Sequence, residues 1–258
     1  MGNLAYKGFS RRHLPHVHPP SRTLFVTYRL AGSIPQPLLR HYKTKNDWLQ
    51  KELKILYSRL QVGTGQTKVC PTEYDKLQLV NSADLQERLA QIEQFRREWF
   101  MKFEAVLDEA RTGPTWLKDE RVAAVVARQI HDLDGEAYQL DAYCVMSNHV
   151  HVVFTPFLNE ASLREEHDEA GHVVFVREYP GLSKIMHRLK GRSARECNLV
   201  LSRSGQFWEH ESFDHVVRAG KLMRTVKYVL NNPVKAGLVK DWREWRWSYC
   251  RKELYDKL

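Results

Sequence analysis

Tyr143-Cys144-Val145-Met146-Ser147-Asn148-His149-Val150-His151-Val152-Val153-Phe154-Thr155-Pro156 decides how this chain is read. β-Branched and aromatic residues flank a Ser147-Asn148 corner, so the stretch reads as two strands joined by a tight turn. Side chains alternate along a strand. His149 and His151 therefore share one face, and Val150, Val152 and Phe154 share the other. The apolar face packs and fixes the polar one. Two imidazoles held on one face of a rigid strand are a way to present two metal ligands. Taken alone, the pair reads first as two satisfied histidines in a sheet.

Upstream, Arg22–Leu30 is rich in β-branched and aromatic residues and reads as a strand, followed by a loop with Pro35 and Pro37. Asn46 caps an expected helix to Leu60, with Leu49, Leu53, Leu56 and Leu60 at helical spacing. Residues 63–71 break the chain. Ser82–Ala110 reads as a long helix with a stripe of Leu85, Leu89, Ile92, Trp99, Phe103 and Val106, closed by Gly113-Pro114. Residues 46–111 thus form an expected inserted helical hairpin, whose stripe serves core or docking rather than a cofactor. Asp119 caps a further helix to about Leu133, and Asp134-Gly135 turns the chain into a strand at 138–145. Residues 1–21 hold a second His-apolar-His, His16-Val17-His18. Pro19-Pro20 follows directly and does not suit a central strand, so these residues read as a flexible arm.

Downstream, 158–181 is charged and reads as a surface insertion with a short hairpin. Leu182–Cys197 is an amphipathic helix, apolar through Ile185, Met186 and Leu189. Lys184, Arg188, Lys190 and Arg192 give it a basic surface. Gln206–Phe213 is a short strand candidate, and Arg218–Asn231 a helix stopped by Pro233. Without the hairpin, the order is strand, helix, strand, strand, helix, strand, helix. That is the split βαβ order. It predicts an α+β fold: a ferredoxin/RRM-like antiparallel sheet over 22–45 and 112–250, with flanking helices and an added C-terminal helix.

The net charge of +9 and pI near 9.4, with 11% aromatic residues, suit a polyanion whose unpaired bases can stack. A well-hydrated surface has the same composition. No apolar run reaches membrane-spanning length, and the N-terminus has no apolar h-region. The four scattered cysteines read as free thiols in a reducing cytoplasm.

On the last helix Arg224, Tyr228 and Asn232 recur every four residues, with Lys221 close to the stripe. Cations beside a phenol favour its phenolate and sharpen it as a nucleophile. A core tyrosine with surface arginines has the same spacing. Taken with the histidine pair, the helix suggests a reaction. Two imidazoles and one oxygen ligand leave open positions on a divalent ion, Mn²⁺ or Mg²⁺. Such an ion can hold a scissile phosphate for tyrosine attack.

The segment Val145–Val153 resembles the HUH motif of single-tyrosine transposases. Tyr228-Val229-Leu230-Asn231-Asn232-Pro233-Val234-Lys235-Ala236-Gly237-Leu238-Val239 resembles the nucleophile helix of one bacterial branch, the REP-associated tyrosine transposases. Gln206–His215 and Trp242–Tyr249 are similar to that branch too, whereas 46–110 departs from its shorter members. The resemblance implies an enzyme that cuts single-stranded DNA beside palindromic hairpins and makes a 5′-phosphotyrosine. It implies Tyr228 as nucleophile, His149 and His151 as metal ligands and Asn232 as third ligand. It further implies a monomer acting in the cytoplasm without a small-molecule cofactor or membrane. Arg224, Lys221, Lys184, Arg188, Lys190 and Arg192 are candidate DNA contacts by charge. Three rivals stay open: a base-stacking binder that does not cut, a metal hydrolase using water, and a domesticated relative.

Overall fold

The structure, a computed structural model, describes residues 22–62, 83–157, 163–167, 173–177 and 182–258. The N-terminal arm with its second histidine pair and the break at 63–71 lie outside the described residues. The chain forms two compact units. Pro35–Ala105 and Leu163–Glu178 belong to one, and His18–Ile34, Val106–Ser162 and Tyr179–Leu258 to the other.

The first unit holds helix α1 (Gln36–Val62), most of helix α2 (Ala83–Glu109) and a two-stranded hairpin. Leu38, Tyr42 and Leu49 of α1 meet Leu89, Ile92, Phe95, Trp99 and Phe103 of α2. Tyr42 stacks on Phe95 with centroids 5.6 Å apart. The helix expected from Asn46 begins ten residues earlier, at Gln36. Pro37 sits in its first turn, where a missing N–H breaks no helical bond. Asn46 is buried inside the helix instead of capping it. The expected short hairpin in 158–181 is present as β4 (Leu163–His167) and β5 (Val173–Arg177), paired antiparallel.

The second unit is an antiparallel sheet in the order β6-β1-β3-β2-β7. Its strands are β1 (Leu24–Arg29), β2 (Tyr138–Val145), β3 (His149–Pro156), β6 (Phe213–Val216) and β7 (Ser248–Cys250). Without β7 this is the expected ferredoxin-like arrangement, with β3 in the centre. Helices α3 (Glu120–His131) and α4 (Leu182–Val200) pack on one face, sharing a core with Val150, Val152 and Phe154. Asp119 caps α3, its carboxylate accepting from the Arg121 N–H. Each fully buried valine or phenylalanine contributes about 1.5–3 kcal/mol over its exposed state. A one-residue slip of β3 would turn His149 and His151 into this apolar core, away from their hydrogen-bond partners, so this core fixes the register. Helix α5 (Leu222–Leu230) lies on the other face, with Val226 and Leu230 against Ala142.

Two expectations need correction. Gln206–Phe213 is not a strand: its ladder contact is one isolated bridge between Leu30 and Trp208, and the paired strand starts at Phe213. Phe207 and Trp208 are both buried, the Trp208 indole N–H donates to Ser193 Oγ at 2.9 Å, and two backbone bonds, Ala31 N–H to the Phe207 carbonyl and Glu209 N–H to the Arg29 carbonyl, each 2.9 Å, hold the segment at the end of β1. Nor does Pro233 end the helical path. The chain breaks at Asn231 and restarts as α6 (Asn232–Lys235), with Pro233 in its first turn.

Gly113 shows why the α2-to-α3 connection needs glycine. Its φ is +75°, and a Cβ there would lie 2.2 Å from the Gly32 carbonyl oxygen. Left-handed backbone costs roughly 1–2 kcal/mol for other residues and overpacking about 1–3. Gly113→Ala should therefore lose about 2–5 kcal/mol in urea unfolding; a midpoint equal to that of the unmutated protein would refute this.

Candidate functional site

β3 delivers His149 and His151 to the sheet face that α5 covers. Both side chains are fully buried. Their Nε2 atoms lie 3.0 Å apart and the rings meet edge to face. Each Nδ1 has its own partner. His149 Nδ1 is 2.7 Å from Asn148 Oδ1, an oxygen that only accepts, so that nitrogen carries the proton and Nε2 keeps its lone pair. His151 Nδ1 is 2.8 Å from Thr27 Oγ1. Thr27 stands directly across from His151 in the β1–β3 register. Partners of this kind aim metal-binding imidazoles, and the Asn148 oxygen also fixes the tautomer of His149.

Burial also decides charge. It pushes His149 down to about 3, with Lys235 adding to the effect, and drives His151 well below its usual range. Both rings are neutral near pH 7, the form in which imidazole binds metal.

Asp108, in the last turn of α2, lies beside His149. Its side chain is 11% exposed, and Oδ1 lies 4.0 Å from His149 Nε2. Oδ2 accepts from Lys235 Nζ at 2.7 Å, whereas buried Oδ1 has no hydrogen-bond partner among the described residues. Burial raises the carboxyl pKa, and Lys235 partly offsets the rise. Glu104 lies one turn earlier on the same helix and is buried as well. Glu104, His149 and His151 are of the residue types that hold a metal ion.

Tyr228 comes to the histidines as well. Its ring lies 6.0 Å from that of His151 and 5.9 Å from that of Phe25, which itself stacks on His151 at 5.7 Å. Beside it opens a cleft of about 500 Å³ lined by Arg224, Lys227, Lys235 and Arg243 together with Trp242. Four cations around a phenol suit a phosphodiester.

Of the residues singled out in the sequence, His149, His151, Tyr228 and Arg224 are thus gathered on one side of the sheet. Asn232 is buried at the start of α6. Its Nδ2 donates back to the Tyr228 carbonyl at 2.9 Å, and its Oδ1 has no hydrogen-bond partner among the described residues. Lys221 is exposed at the N-terminus of α5. Lys184, Arg188, Lys190 and Arg192 ride on α4, against the opposite sheet face. Arg188 pairs with Glu136, and Lys190 Nζ donates to the carbonyls of Glu209, His210 and Glu211. Sequence reasoning missed Thr27, Asp108 and Lys235. Only Thr27 left a signal, its place opposite β3 in an adjacent strand.

The buried neutral histidines set a pH dependence. His149 titrates near 6.5 when unfolded and near about 3 when folded. Between those values the unfolded state binds more protons, so stability falls as pH drops from 6.5. Asp141, raised to about 6 by burial beside Arg251, acts in the opposite sense, and a single-histidine variant leaves it in place. From pH 7.5 to 5 the wild type should lose about 2 kcal/mol more than His151→Gln. Equal losses in urea titrations would contradict the buried, neutral assignment.

No protein-family model matches the chain, and no curated protein matches it. A solved structure described as "Structure of the REP associates tyrosine transposase bound to a REP hairpin" is similar to it, with 14% sequence identity and a TM-score of 0.40, covering 90% of this chain and 79% of that one.

Proposed function

We propose that the protein is a metal-dependent single-stranded DNA endonuclease and strand transferase with Tyr228 as nucleophile. One observation carries this reading: the ring of Tyr228 lies 6.0 Å from His151, whose Nε2 faces that of His149, at the edge of a cationic cleft. The HUH-like and tyrosine-helix motifs support it from the sequence.

His149 and His151 would hold a divalent ion, Mg²⁺ or Mn²⁺. Their Nε2 atoms lie 3.0 Å apart on one buried face, and imidazole nitrogens in that arrangement suit a first-row cation. When bound, such an ion stabilises charge on the oxygens of a scissile phosphate. Arg224, Lys227 and Lys235 draw the backbone into the cleft and favour the phenolate. The Tyr228 oxygen forms a bond to phosphorus, the bond from phosphorus to the 3′ oxygen breaks, the phenol loses its proton and the departing 3′ oxygen gains one. The phosphate stays on the enzyme as a 5′-phosphotyrosine, so a 3′-hydroxyl can reverse the step. The substrate in this reading is DNA beside palindromic hairpins of REP type, and the protein acts as a cytoplasmic monomer. Asn232 is a further candidate oxygen ligand.

With 5′- or 3′-labelled hairpin DNA and Mn²⁺, a denaturing gel should show a slow band that chelator abolishes. Tyr228→Phe and His149→Ala should each lower cleavage at least about 10³-fold, with DNA binding retained in Tyr228→Phe. Full cleavage in either variant would refute the mechanism. Cleavage without the slow band would assign the site to a hydrolase that uses water.

A further inference from the structure

Helix α1 lies outside every stretch that resembles the transposases, and the tyrosine mechanism gives it no task. Its faces differ in character. Leu38, Tyr42 and Leu49 pack against α2. Arg40, Thr44, Trp48 and Lys51, at helical spacing, are exposed along another face, flanked by exposed Lys43 and Lys45. Asp47 is the acid exposed among them, so the face is net positive. Trp48 keeps 45% of its surface exposed, although tryptophan is mostly buried in folded proteins. Lys45 Nζ lies 4.1 Å from the centre of its ring and the Arg88 guanidinium carbon 5.7 Å. Arg88 pairs with Glu52 at 3.8 Å, whereas Arg40, Lys43, Lys45 and Lys51 have no ion pair among the described residues. Unneutralised cations around an exposed indole match a partner that carries both negative charge and flat rings, the chemistry of an unpaired nucleic-acid strand. A lipid surface needs an apolar helix face to insert, and the apolar face of α1 is already packed on α2.

We infer that the exposed face of α1 around Trp48 binds single-stranded DNA, with the indole stacking on an unpaired base and Arg40, Lys45 and Lys51 contacting phosphates. This adds a second DNA-binding surface to the nuclease reading above and rests on that reading only for the class of partner. An exposed cation–π contact is weaker than a base stacked on an aromatic ring. A base can therefore take the ring face from Lys45 and leave its ammonium for the backbone. Phosphate contacts carry no sequence information, and stacking accepts any base. The surface thus holds single strand irrespective of sequence, and the insertion contributes affinity rather than recognition of a cleavage site.

Fluorescence anisotropy of a labelled oligothymidine, which forms no hairpin, with the full chain and no divalent ion tests this apart from cleavage. Trp48→Ala should weaken binding at least about fivefold, and Trp48→Phe should stay within about threefold of the wild type. Lys45→Ala and Lys51→Ala should each lower the slope of log affinity against log salt by about 0.7. With an iodouracil-substituted strand, ultraviolet light should cross-link the DNA to Trp48, in the tryptic peptide Asn46–Lys51. Far-UV circular dichroism melts verify that the variants are folded. No binding by the wild type, or wild-type affinity in Trp48→Ala, would overturn the inference. So would variants that lose binding to phosphatidylglycerol vesicles but keep it to DNA, which would assign the face to a membrane. The two readings fail separately. A wild type that binds the oligothymidine through Trp48 but forms no covalent band keeps the surface and loses the nuclease. One that forms the band without binding the oligothymidine keeps the nuclease and loses the surface.

Discussion

The two-residue period of β3 is the constraint on which the rest depends. Val150, Val152 and Phe154 are fully buried in the core beneath α3 and α4. Because side chains alternate, that burial commits His149 and His151 to the opposite face. A slip by one residue would put two imidazoles into this apolar core without their partners, at about 1–3 kcal/mol each, and would unpack three side chains that fit it. The apolar face sets the register, and the polar face inherits its geometry from it.

The second consequence is electrostatic. A sheet face closed over by α5 excludes water from the imidazoles, and exclusion keeps them neutral. Lys235 reinforces this and also holds the carboxylate of Asp108, so one cation sits between the histidine group and the cleft. The tyrosine helix packs through Val226 and Leu230, which leaves Tyr228 half-buried against Phe25 and His151, with Arg224 and Lys227 at the cleft. One helix thus carries both the packing that positions the phenol and the charge that would attract a phosphodiester.

Much of this was legible in the sequence because it is local. The alternation of β3, the Asp119 cap, the turn at Gly135 and the apolar stripe of α4 are each written in fewer than twenty consecutive residues. What was not legible depends on long-range pairing or on context that overrides local signals. Pro35 and Pro37 read as loop because proline usually interrupts, yet the first helical turn tolerates it. Asn46 has the chemistry of a cap but lies mid-helix. Phe207 and Trp208 have strand propensity, yet their pairing stops at one bridge with Leu30, and burial with the Ser193 hydroxyl adds the rest of the hold. Asp108 is one polar residue on an amphipathic helix, and nothing in its neighbours marks it off from a solvated position. Its meeting with His149 is made forty-one residues later in the chain, by tertiary structure alone.

The central claim is that Tyr228 forms a covalent bond to DNA, and peptide mapping tests it most directly. The protein would be incubated with single-stranded hairpin DNA and Mn²⁺, the DNA trimmed by nuclease, the protein digested with trypsin and the peptides sequenced by mass spectrometry. The expected result is a phosphonucleotide on Tyr228 within the peptide Tyr228–Lys235. DNA cut with that peptide unmodified, or the nucleotide found on another residue, would contradict the account.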